Sequence, residues 1–190
     1  SGKHALGLAL CVSERWPIAG YLDAGHPLQE AMHTAILEAT GADGAEVAEA
    51  VDGCGMRTYA MDLAGLAVAF GRLASGGLGP AGERVAAAMS EHPGLVGFPG
   101  SIDSEIMAAA PGVVAKIGAE AVIAIGTPDG RGLAVKVLDG NGRAIDPVGV
   151  LCARDLLGLP VDTAPLHALA EPRIRNSRDT VVGRLDATLA

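Results

Sequence analysis

Of the 14 basic residues in this 190-residue chain, only Lys3, Lys116 and Lys136 are lysines, so each amine stands out against an arginine-furnished surface. Lys136 interrupts the run Leu133-Ala134-Val135 and Val137-Leu138, a strand pattern otherwise apolar on both faces. An amine buried there needs a partner, and desolvation pushes it toward the neutral base; the alternative is an edge-strand lysine reaching water. Lys3 falls in the first turn of an apolar helical run, where free N–H groups and the positive end of the dipole disfavour the ammonium form. That makes it a candidate neutral ligand or base, set against an ordinary chain start. Asp52-Gly53-Cys54-Gly55 places a thiol between two glycines, which lets the backbone bring sulfur close to a metal or a substrate, or simply makes a tight turn. Lys116, beside Gly118, reads as a solvated strand end, while Cys11 and Cys152, each on an apolar helix face, read as inert core residues.

Other chemistries are excluded. The five histidines, His4, His26, His33, His92 and His167, stand in no HExxH or cysteine-rich spacing, so the chain contains no complete zinc site of familiar pattern. Ser1-Gly2-Lys3-His4 lacks both the upstream glycine and the hydroxyl residue of a Walker loop, and no Gly-x-Ser-x-Gly elbow occurs. A formal net charge of −8 argues against nucleic acid as a partner. Every apolar run is broken short of the roughly 20 residues that span a bilayer, so a soluble protein with no membrane partner is expected. Three widely spaced cysteines suit a reducing compartment, and a cytoplasmic location is expected.

The elements that must position these groups follow from periodicity. Residues 5–12 are apolar all round, the mark of a helix buried on every side, with Ser1 to His4 as its first turn. A helix runs from Pro27 to a stop at Gly41, and another from Asp62 to Ser75; shorter ones are expected over Ala81–Ser90 and Ser101–Ala110. A short strand-like run covers Glu46 to Val51. After Pro111-Gly112 the pattern changes to β-branched runs, Val113–Ala115 and Ala121–Ile125. The turn Thr127-Pro128-Asp129-Gly130 should pair Gly132–Leu138 back antiparallel, with Lys136 on a central strand. Asp146-Pro147 reads as the N-cap and first-turn proline of a helix ending near Gly158, and Thr180–Leu185 as a last strand rejoining the sheet. With 49% hydrophobic residues and no repeat or linker, the chain reads as a single α/β domain with an antiparallel sheet packed between helices.

Five segments in register resemble the bacterial L-asparaginase II family, the rhizobial-type asparaginases. They are Ser1-Gly2-Lys3-His4-Ala5; Gly20-Tyr21-Leu22-Asp23 with His26-Pro27-Leu28-Gln29; Val51-Asp52-Gly53-Cys54-Gly55; Ala115-Lys116-Ile117-Gly118-Ala119-Glu120; and Leu133-Ala134-Val135-Lys136 through Asp139-Gly140-Asn141-Gly142-Arg143-Ala144. The resemblance implies a fold like that of the serine β-lactamases, transpeptidases and glutaminases. The implied activity is hydrolysis of L-asparagine to aspartate and ammonia by Ser-Lys chemistry beside zinc. By motif, Lys3 and Cys54 are the implied zinc ligands, Asp52 their neighbour in the catalytic site, and Lys136 the lysine of a Ser-Lys pair. A homodimer is compatible with this reading.

The family is longer. Its second zinc cysteine directly precedes Ser-Gly-Lys, its nucleophilic serines lie further toward the N-terminus, and a third cysteine near the strand of Ile123 is not present here. The resemblance therefore implies half a metal site, a base without its nucleophile, and a missing N-terminal segment as partner, so that the isolated chain should be inactive. Two other readings stay open: Ser1 as an N-terminal nucleophile with its own α-amine as base, and an inactive module that keeps an asparagine-shaped pocket.

Overall fold

The structure, a computed structural model, describes residues 2–189, and the backbone alone of Ala45. Ser1, the candidate N-terminal nucleophile, lies outside the described residues. The chain divides into two compact units, residues 1–65 and 66–190. Among the described residues there are eight α-helices and three small antiparallel sheets, a mixed α/β architecture.

In the first unit, α1 (Gly2–Ser13) and α2 (Pro27–Thr40) precede a hairpin of β1 (Ala48–Val51) and β2 (Arg57–Ala60). Pro27 presets the first turn of α2, the buried His26 ring accepts the Leu28 N–H at 3.1 Å, and Gly41 ends the helix at φ 72°. α1 meets α2 where Gly7 has no side chain, since a Cβ there would sit 3.0 Å from Leu28 Cδ2. Its all-round apolarity predicts burial on every side, and here the structure differs. Only Cys11 is buried along α1, while Leu6 and Val12 are 75% and 63% exposed. The core of the unit, built from Cys11, Leu28, Gln29 and Met56, covers only one flank of the helix. β2 had no strand pattern of its own; pairing with β1, Val51 opposite Arg57, makes it one.

The second unit holds most of α3 (Leu63–Ala74), then α4 (Gly79–Glu91), α5 (Pro93–Val96) and α6 (Ile102–Ala109). The sheet β3 (Val114–Gly118), β4 (Val122–Gly126) and β5 (Gly132–Lys136) follows, with β4 central. The turn 127–130 closes as its residues dictate, Gly130 N–H bonding Thr127 O at 2.9 Å. Strand alternation sorts the sheet into two faces. Ala115, Ile123 and Ile125 join Ile106, Met107, Val150 and Leu166 in the core beneath α6, α7 (Ile145–Asp155) and α8 (Ala164–Ala170). The other face carries Gly126 and Gly132, and α3 lies directly on it: a Cβ on Gly126 would fall 1.9 Å from Phe70 O.

Three expectations are corrected here. Lys136 ends β5, an edge strand of this sheet rather than a central one, because no further strand among the described residues pairs beyond it. Asp146 lies inside the first turn of α7 and does not cap it; the N-cap is Ala144, with no side-chain bond. Finally, β7 (Val181–Arg184) pairs with β6 (Arg173–Arg175) in a separate hairpin, since an unforeseen partner strand lies nearer in sequence than the main sheet.

Candidate active site

The first turn of α1 presents Lys3 and His4, the loop before α2 presents Tyr21, and the β1–β2 turn presents Asp52 and Cys54. The turn is shaped by backbone bonds: Asp52 N–H reaches Met56 O at 3.0 Å, and Gly55 N–H reaches Asp52 O at 2.9 Å, with Gly55 at φ 83° where a side chain would be strained. Glycine after the cysteine therefore has the conformational reason read from the sequence. The result is a continuous cluster within one unit. Lys3 Nζ donates to Asp52 Oδ2 in an ion pair. Asp52 Oδ1 accepts from the Cys54 backbone N–H at 3.0 Å and from its thiol at 2.9 Å. His4 Nε2 lies 2.9 Å from Cys54 Sγ, and His4 Nδ1 lies 2.8 Å from the Tyr21 hydroxyl.

The electrostatics follow from these contacts. Hydrogen bonds from Cys54, and then from Lys3, hold the Asp52 carboxyl well below the usual carboxylate range. In return Asp52 raises Lys3, outweighing the modest desolvation of the amine. The helix-terminus field alone predicts the opposite direction for Lys3. A carboxylate in direct contact overrides it, because a full charge at hydrogen-bond distance exceeds the partial charge of the helix end.

The structure brings together Lys3, Asp52 and Cys54, three of the four residues singled out from the sequence. Lys136 belongs to the other unit, where its amine donates to Glu120 O at 2.8 Å and to Val137 O. Lys116 is only partly solvated: 41% of its side chain is exposed, but its amine reaches Asp103 Oδ2 at 2.7 Å, and that carboxylate is fully buried. Cys11 and Cys152 are buried, as their apolar faces imply. Sequence reasoning passed over His4 and Tyr21 as separate functional residues. Position beside Lys3 in a first helical turn was the one available signal for His4; for Tyr21 and the Asp103–Lys116 pair nothing local existed.

Among the described residues, no group of three or more His, Cys, Asp or Glu is arranged to hold a metal ion. Zinc takes sulfur and nitrogen donors once they have lost their protons; here the Cys54 thiol and the Lys3 ammonium both donate to Asp52, and an imidazole nitrogen adjoins the sulfur. A cavity of about 790 Å³ in the second unit, lined by Ser75, Glu83, Ser90, Glu91 and Met107 among others, includes none of the candidate residues. No helix among the described residues is long and apolar enough to cross a membrane.

The family model for L-asparaginase II matches residues 1–187. A search of curated proteins returns no match.

Proposed function

Because the chain belongs to the L-asparaginase II family, a family of amidohydrolases, we propose that it takes part in hydrolysing L-asparagine to aspartate and ammonia. The observation that carries this beyond family membership is the convergence of Lys3, Asp52 and Cys54 from a helix start and a hairpin turn 49 residues apart. The fold behind it is proposed to be of the serine β-lactamase, transpeptidase and glutaminase type, and the site of action the cytoplasm.

In this reading a serine hydroxyl attacks the side-chain amide carbon, its proton passing to Lys136 and on to the departing ammonia; water then cleaves the aspartyl ester. The serine is supplied by the N-terminal part of the family's length. Lys136 is held by two backbone carbonyls, Glu120 O and Val137 O, which take two N–H groups of the amine and leave its remaining position for the serine hydroxyl. Cys54 and Lys3 would hold zinc, which when bound supplies an electrophilic anchor for a polar group of the substrate. Asp52 keeps the two donors together and fixes the turn that carries the sulfur.

The test is ammonia release from L-asparagine, measured for the 190-residue chain alone and with the family's N-terminal part restored. Turnover is expected only in the second case, with Cys54→Ser chiefly raising KM. Turnover by the isolated chain that Ser1→Ala abolishes would replace this mechanism by an N-terminal nucleophile. Asparagine binding without turnover in either preparation would make the protein a binding module.

A further inference from the structure

His4 lies between two groups with which it has no sequence relation. Its Nε2 faces Cys54 Sγ at 2.9 Å, its Nδ1 faces the Tyr21 hydroxyl at 2.8 Å, and the tyrosine ring packs edge-on against it at 85°. With a neutral imidazole, one placement of protons satisfies every contact of the His4 ring. The Cys54 thiol donates to Asp52 Oδ1, so its sulfur must accept from His4 Nε2–H; Nδ1 is then bare and accepts the Tyr21 O–H. Tyr21 is itself tied down, since the fully buried Gln29 donates to Tyr21 O at 2.7 Å from the first turn of α2. A chain of directed bonds thus runs from the core of the unit, through Tyr21 and His4, to an exposed cysteine.

We infer that His4, oriented by Tyr21, is a positioning residue for Cys54, fixing the direction in which the sulfur points. Cys54 sits in a two-glycine turn, and a thiol on such a turn has no rotamer imposed by packing. Asp52 constrains it from one side only, being its neighbour in the same turn; His4 constrains it from a different element. A partner that orients a metal-binding side chain without itself binding metal is worth about 10–100-fold in affinity. That part of the inference rests on the zinc reading above, while the orientation of the sulfur does not.

The test separates the two. In the metal-free protein, three-bond couplings between Hα and Hβ of Cys54 should report a single χ1 rotamer. His4→Phe, which keeps a ring but no donor, should average them; His4→Gln, whose amide nitrogen can occupy the Nε2 position, should restore the single rotamer; Tyr21→Phe should fall between. Long-range ¹⁵N correlations should show the Nε2–H tautomer of His4. In zinc competition against a chelator, His4→Phe should bind about 10–100-fold more weakly than wild type and His4→Gln near wild type. Unchanged couplings in His4→Phe, or the Nδ1–H tautomer, would overturn the inference. Failure of wild type, with the family's N-terminal part restored, to bind zinc would instead overturn the zinc reading, with the couplings still deciding the role of His4.

Discussion

Replacing Asp103 should destabilise the second unit through the polar contacts its carboxylate collects. Its carboxylate is fully buried at the start of α6 and accepts four bonds: from Lys116 Nζ at 2.7 Å, Ile117 N–H at 3.2 Å, Ser101 Oγ at 2.6 Å and Ser104 N–H at 3.0 Å. In Asp103→Ala the Ser101 hydroxyl keeps Phe98 O at 2.8 Å as an alternative acceptor. Lys116, with 41% of its side chain exposed, turns to water. The Ile117 and Ser104 N–H groups have no such recourse, and two orphaned backbone donors cost about 1–2 kcal/mol each. Loss of the half-exposed Lys116 bond adds about 1 kcal/mol, so the expected cost is about 3–5 kcal/mol. Asp103→Asn, which keeps one acceptor oxygen, should cost about 1–2 kcal/mol. Urea unfolding followed by circular dichroism measures the total, and amide exchange at Ile117 and Ser104 locates it. In a double-mutant cycle with Lys116→Met the coupling should be about 1 kcal/mol. Burial pushes the Asp103 carboxyl up, but the bonds from Lys116, Ser101 and Ile117 together outweigh it and leave its pKa lowered. A depressed carboxyl stabilises the fold above the unfolded pKa of about 3.9 and loses that contribution as pH falls through its folded value. The gap between wild type and Asp103→Asn should therefore narrow in acid. A loss below about 1 kcal/mol in Asp103→Ala, or strict additivity with Lys116→Met, would refute the reasoning.

Gly126→Ala and Gly132→Ala should each cost about 1–3 kcal/mol or more, because the added carbon falls 1.9 Å from Phe70 O and 1.8 Å from Ala67 O, both backbone atoms of α3. Gly142→Ala, with nothing within 4 Å of its new carbon, is the control and should leave the urea midpoint in place. Burial, and then the nearby Asp103 charge, raise the Asp146 carboxyl, so its ionisation costs the fold stability as pH rises through the unfolded value. Asp146→Asn should accordingly raise the urea midpoint at neutral pH and leave it unchanged where both forms are protonated. Lys136→Met, on a half-buried edge-strand position, should leave unfolding near wild type while reducing ammonia release by about 10²–10⁴-fold in the preparation that turns over.

Local chemistry alone determined much of this molecule. Pro27 and Gly41 bound α2, Thr127 to Gly130 bound the β4–β5 turn, and the β-branched run of Val122, Ile123 and Ile125 marks a strand. Lys3 was legible as a candidate from its place in a first helical turn and Cys54 from its flanking glycines, while Asp52 came only with the family resemblance. Tertiary structure alone decided the rest, since each remaining feature depends on which distant atoms arrive. Apolarity along α1 could not say which flank would be covered, because burial is a property of neighbours rather than of the helix. The charge state favoured at Lys3 reversed once Asp52 came to it across 49 residues. The strand holding Lys136 became an edge, and β7 found β6, by pairings that involve backbone groups every residue possesses. His4 and Tyr21 gained a common role only when the fold set them in line with Cys54, a direction in space that spacing along the chain does not encode.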